Sequence, residues 1–221
     1  MKQYITEFIG TFFLVLVIGF TTNDPQMWAE GGTPFAPLAI GTILMVMVYM
    51  GGPISGAHYN PAVSFAIWIR KKISTADMIV YIISQLAGAV AAALCFFALL
   101  DRSMGGPMPA EGFTLNLKPM FAEMIFTFAL ALVVLNVATS AKSAGNSYFG
   151  LAIGFTIMAG VFAVGKISGG AFNPAVGLGP NIIHALLTGA SINYAWIYIA
   201  GPLAGGVLAA WTYMIINPDE K

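Results

Sequence analysis

Two carboxylates stand inside apolar stretches of this chain, Glu7 and Glu123, and the tripeptide Asn-Pro-Ala occurs twice, at Asn60-Pro61-Ala62 and Asn173-Pro174-Ala175. A carboxylate at membrane depth is a functional candidate by default, either as a proton carrier or as an acceptor for backbone that has no water to bond. Asn is a preferred helix N-cap, and Pro is favoured at the first helical position because its missing N–H would be unsatisfied there anyway. Each tripeptide therefore reads as a helix start. Catalysis finds no support: no nucleophile, base and orienting group occur together near a pocket-forming motif. Two histidines, His58 and His184, and the single Cys95 are too few for a metal cluster or a disulfide framework, so no metal or other cofactor is expected.

The elements that must position these residues are membrane spans. Only 8% of the 221 residues are charged, against about 25% in a soluble domain, and 58% are hydrophobic. Nine positive and nine negative side chains leave no net charge and no basic patch for a nucleic acid. Apolar runs at about 5–20, 36–50, 78–100, 120–138, 148–164 and 194–216 suit six transmembrane helices, while 61–69 and 174–187 are apolar but too short to cross. Lys2 before the first run gives it the outline of a signal peptide. Glu7 interrupts that run and no Ala-x-Ala site follows, so an uncleaved first span is expected. With six spans, Lys2, Arg70, Lys71, Lys72, Lys142 and Lys221 fall on one side and Arg102, Lys118 and Lys166 on the other, which puts both termini in the cytoplasm. Arg70-Lys71-Lys72 reads as a topology anchor, and Trp28, Trp68, Trp196 and Trp211 as an interfacial belt.

Shifting the chain by 113 residues lays 38–63 on 151–176 without a gap, with 14 of the 26 positions identical. Small changes of offset extend the match to Glu7-x-x-x-Thr11 against Glu123-x-x-x-Thr127, and to Leu86-Ala87-Gly88 against Leu203-Ala204-Gly205. The chain is thus a single domain, 1–221, of two repeats at about 1–105 and 113–221. Three spans per repeat is an odd number, so the second copy enters the membrane from the opposite side and shared features fall near the midplane. The fold class expected is an all-α polytopic membrane protein with six transmembrane helices and two re-entrant half-helices in an inverted repeat.

Gly51, Gly52 and Gly56 in one copy, and Gly165, Gly169 and Gly170 in the other, allow extended or left-handed backbone before each half-helix. If the half-helices meet, two helix N-termini bring roughly half a positive charge each to one spot, which repels cations and protons. Asn60 and Asn173 would offer amide N–H groups to a passing oxygen. Backbone of Gly56, Ala57, His58, Tyr59, Gly169, Ala171 and Phe172 would line the path. The matching positions of Glu7 and Glu123 in the two repeats favour loop bracing over proton coupling, and a proton-coupled transporter stays as the alternative from another class.

The segments 55–63 and 168–176, with Glu7-Phe8-Ile9-Gly10-Thr11 and Gly201-Pro202, resemble the aquaporin (major intrinsic protein) family along essentially the whole chain. The resemblance implies one pore per subunit, a lipid bilayer around it, water and small neutral solutes as its cargo, and a homotetramer. It places His58 on the cytoplasmic side of the pore, contributing its carbonyl and a fixed hydrogen bond or acting as a pH gate. It also implies a selectivity filter at Ile40, Val161, Gly170 and Val176. Here the chain departs from the family pattern: Val176 replaces the usual arginine, Val161 stands where many water-selective members have histidine, and Ile40 where an aromatic is common. The second motif is similar to the plant vacuolar-membrane subgroup. The function expected is a passive water channel, leaky to ammonia, hydrogen peroxide, urea and glycerol, in the cell membrane; a glycerol or small-neutral-solute facilitator is the near alternative.

Overall fold

The structure is a computed structural model that describes residues 1–22, 33–109 and 117–220. Trp28 and Lys221 lie outside the described residues. Among the described residues eight α-helices occur, in chain order: α1 (Lys2–Thr22), α2 (Ala36–Ser55), α3 (Pro61–Ile69), α4 (Thr75–Leu100), α5 (Lys118–Thr139), α6 (Phe149–Ser168), α7 (Pro174–Thr188) and α8 (Ile197–Ile216), with 3-10 turns at Ala141–Ser143 and Pro218–Glu220. Six of them, α1, α2, α4, α5, α6 and α8, are long and apolar enough to cross a membrane, and α3 and α7 are the two short ones. No strand occurs among the described residues.

Composition and crowding together explain the helices. Backbone in hydrocarbon must satisfy its own polar groups, which the helix does within one segment. Small residues then bring helices together where water offers no driving force. A Cβ on Gly41 would sit 2.7 Å from the Gly154 carbonyl oxygen, and one on Gly88 2.5 Å from that of Phe8, so α2 against α6 and α1 against α4 touch backbone to backbone. Large apolar side chains such as Ile83, Phe155, Phe162 and Trp211 remain exposed, as expected of a surface solvated by lipid.

The glycines before the half-helices correct one expectation. Gly51 and Gly52 lie inside α2, and Gly165 inside α6; left-handed backbone is confined to residues 56, 57 and 59 in one copy and 169, 170 and 172 in the other. The helices run on because Gly56 N–H still reaches the Gly52 carbonyl (3.0 Å) and Gly169 N–H that of Gly165 (2.9 Å), which keeps the last turns bonded within their own segments. Gly51 instead makes room: a Cβ there would strike the Tyr59 hydroxyl.

Both chain ends lie on one face, called the terminal face below. Tyr4 donates to Asp77 Oδ1 (2.6 Å), and Asp77 with Ser74 caps the start of α4. Arg70 is clamped there: it pairs with Glu220 (3.3 Å), donates to the Glu220 carbonyl (2.9 Å) and to Thr139, and lies 3.8 Å over the Tyr213 ring. Hydrogen bonds from Tyr213 and Ser140 hold the Glu220 carboxyl down to about 2. A depressed carboxyl pKa stabilises the fold above the unfolded value and loses that contribution as pH falls through the folded one. Glu220→Gln is therefore expected to lower the detergent melting temperature at pH 7. The gap to wild type should shrink as pH is lowered from about 4.5 towards 2. A gap that stays constant across that range would show that Glu220 contributes nothing through its charge.

Candidate functional site

The two Asn-Pro-Ala segments cap their helices and then each other. Asn60 Oδ1 accepts from Ala62 N–H and Asn173 Oδ1 from Ala175 N–H, both at 2.9 Å. Asn60 Nδ2 donates to the Phe172 carbonyl and Asn173 Nδ2 to the Tyr59 carbonyl, both at 2.8 Å. One hydrogen of each amide is thus spent across the junction, and the second remains for another acceptor. Pro61, Ala62, Pro174 and Ala175 are buried as the first turns of α3 and α7, whose N-termini meet here.

Left-handed φ at Ala57, Tyr59 and Phe172 strains the two loops, at a cost of order 1 kcal/mol or more each. The two carboxylates offset it. Glu7 accepts from Ser55 Oγ (2.7 Å), His58 N–H (3.0 Å), Tyr59 N–H (2.7 Å) and Gln85 Nε2 (2.8 Å). Glu123 repeats the pattern with Ser168 Oγ (2.7 Å), Ala171 N–H (3.0 Å) and Phe172 N–H (2.6 Å). Both are fully buried, and each of these partners donates to the carboxylate, which acts as an acceptor. Tyr81 and Tyr198 close the loops from outside by donating to the Ser55 and Ser168 carbonyls.

His58 is oriented by a chain of donors. Gln85 Nε2 donates to Glu7 and also to Ser64 Oγ (2.9 Å), so the Ser64 proton is directed to His58 Nδ1 (3.0 Å). This network assigns the imidazole hydrogen to Nε2, the nitrogen beside Gly56. Neither Gln85 nor Ser64 was singled out from sequence. The second repeat has Pro202 and Gly177 at the corresponding places, so duplication could not flag them. It could have flagged Ser55 with Ser168 and Tyr81 with Tyr198, which recur at the offsets already found.

Three cavities stack along the helices. On the face away from the termini, about 470 Å³ is lined by Ile40, Val161, Gly170 and Val176 together, with Gly169, Thr33, Lys166 and residues 104–107. One helical turn deeper along α2 and α6, Leu44 and Ile157 join Ala57, His58, Tyr59, Asn60, Val63 and Asn173 around about 10 Å³, room for roughly one water. On the terminal side, Gly56, His58, Lys72 and Thr139 surround about 320 Å³. All four residues expected at a filter thus share one cavity. Among the described residues Lys166 is the one charged residue on that lining, and His58 faces both of the other cavities. Ala171 and Phe172 are buried, and Phe172 has its ring against Phe126 and its carbonyl taken by Asn60.

This geometry has relatives. The model of the family described as major intrinsic protein matches residues 1–213. The chain is 34% identical to aquaporin AqpM of Methanothermobacter thermautotrophicus, over 99% of this chain and 98% of that one. It is 36% identical to aquaporin NIP1-1 of Oryza sativa subsp. japonica (100% and 76%), and 34% identical to a glycerol uptake facilitator protein-like 6 of Lactiplantibacillus plantarum (100% of both). An aquaglyceroporin structure from Plasmodium falciparum shares its fold, with a TM-score of 0.87 at 24% identity over 99% of this chain and 98% of that one. Six membrane-crossing helices, two half-helices joined at their Asn caps and this whole-chain similarity lead to one conclusion: the chain belongs to the major intrinsic protein family and is a multi-pass membrane channel, not an enzyme.

Proposed function

We propose that this channel passes water together with small uncharged solutes, namely ammonia, hydrogen peroxide, urea and glycerol, through a filter formed by Ile40, Val161, Gly170 and Val176. The observation that carries the reading is their shared cavity of about 470 Å³, in which none of the four presents a charge or a side-chain donor. A water that forfeits a hydrogen bond there loses of order 1 kcal/mol net, roughly a factor of five in rate, so conduction rests on backbone acceptors along the path. Cation rejection falls to the paired helix N-termini behind Asn60 and Asn173, helped by Lys166 at the mouth. Glu7 and Glu123 brace the loops and carry no protons. The terminal face is cytoplasmic on the distribution of Lys and Arg, the membrane is the cell membrane, and four copies assemble with one pore each.

The test is stopped-flow light scattering on proteoliposomes with water, glycerol, urea and ammonia, for wild type and Val176→Arg. The arginine narrows the cavity, so glycerol and urea permeability should fall about tenfold relative to water. Unchanged ratios would remove Val176 from the filter, and no wild-type flux would sink the channel reading. A glycerol-preferring facilitator is the second reading, favoured by the relative named as a glycerol uptake facilitator; glycerol flux well above water flux would select it.

A further inference from the structure

Residues 104–107, which follow α4, are part of the same cavity wall. Met104, Gly105, Gly106 and Pro107 line it beside the four filter residues, and the two glycines can present only backbone. This strap is held by one face of α7. Asn181 Nδ2 donates to the Pro107 carbonyl (3.0 Å) and to the Gly177 carbonyl (2.8 Å), while its Oδ1 accepts from the Tyr194 hydroxyl (3.2 Å). Three residues on, His184 Nδ1 bonds Ser103 Oγ (2.7 Å). Asn181 is 1% exposed, and a Cβ on Gly106 would strike its amide. A Cβ on Gly169 would lie 2.7 Å from Pro107 Cβ, so the strap rests directly on the second re-entrant loop.

We infer that Asn181 is a positioning residue for solute selection: it holds the strap 103–109 against the outer cavity, so that strap backbone sets the width of an opening at which none of the four filter residues offers a polar side chain. The inference rests on the filter reading above. α7 then carries both walls of the cavity, Val176 in its first turn and the strap anchor at Asn181 less than two turns later. An asparagine suits the place because its NH2 can donate to two carbonyls while its oxygen accepts from a phenol. Alanine removes all three bonds and frees the strap to move outwards.

The experiment measures glycerol-to-water and urea-to-water permeability ratios in proteoliposomes, normalised to reconstituted chain, for wild type, Asn181→Ala, Gly106→Ala and the double variant. Asn181→Ala should raise the glycerol-to-water ratio by roughly threefold or more. Gly106→Ala, which pushes the strap off the intact Asn181, should move the ratio the same way by a route that keeps the amide. In the double variant the new methyl has space, so the second change should add little to the first. Val176→Arg in the same series separates the two ideas. If it shifts the ratios while Asn181→Ala and Gly106→Ala lower only the melting temperature, the strap inference is wrong and the filter stands. If Val176→Arg shifts nothing, the filter reading itself has failed.

Discussion

Glu123→Leu is expected to abolish most water flux and to lower the melting temperature sharply, the largest effect anticipated from a single side chain in this protein. The substitution leaves the Ser168 hydroxyl and the Ala171 and Phe172 N–H groups buried without their acceptor. At about 1–3 kcal/mol for each unsatisfied group the cost is roughly 3–9 kcal/mol, comparable with the whole stability of many domains. The loss also falls where the backbone is strained, since Phe172 has a left-handed φ of 48° and its carbonyl is one end of the bond from Asn60. The damage should therefore reach the junction of the half-helices. Glu123→Gln keeps one oxygen but turns an NH2 towards a donor, so an intermediate loss is expected. Flux per chain and thermal unfolding in detergent read both effects. Should Glu123→Gln leave stability untouched and remove only a component driven by a proton gradient, the bracing role would be wrong and proton coupling right.

The second large effect concerns charge at the junction. In Asn173→Asp the side chain still accepts from Ala175 N–H, so the cap survives, but the donor to the Tyr59 carbonyl becomes a carboxylate oxygen facing another oxygen. A full negative charge then sits where two helix N-termini contribute about half a positive charge each, and the barrier to cations is largely cancelled. Water flux should drop by about fivefold or more as a pore-facing hydrogen is lost. Cation conductance across a planar bilayer should appear where wild type has none. Asn60→Asp, opposite the Phe172 carbonyl, should behave alike. Wild-type water flux and a silent bilayer for both variants would mean that neither amide faces the conduction path.

How much of this was legible beforehand differs from feature to feature. The duplication exposed Asn60 with Asn173 and Glu7 with Glu123, because a residue that must serve the same loop twice appears twice at nearly the same offset. Helix bounds were readable to within a few residues, since an apolar run in lipid has no alternative to internal hydrogen bonds. The exception was informative: the glycines at 51, 52 and 165 stay helical, and Gly51 makes room for the hydroxyl of Tyr59 in the loop that follows. Gln85, Ser64 and Asn181 gave no local signal. Each is an ordinary polar residue in a helix until the fold shows what it reaches.

The sequence by itself determined that this chain lies in a membrane, that it is built twice over, and where each half-helix begins. The first and the last rest on composition and capping, which act over a few neighbouring residues, and the second on a match between segments 113 residues apart. Tertiary structure alone decided that the Asn60 amide bonds the Phe172 carbonyl 112 residues away, and that Ile40, Val161, Gly170 and Val176 share a cavity with a strap anchored by Asn181. The physical reason is that such contacts depend on how closely helices pack. That closeness is set by backbone touching backbone at residues such as Gly41 and Gly154, which have no side chain to say which partner they meet.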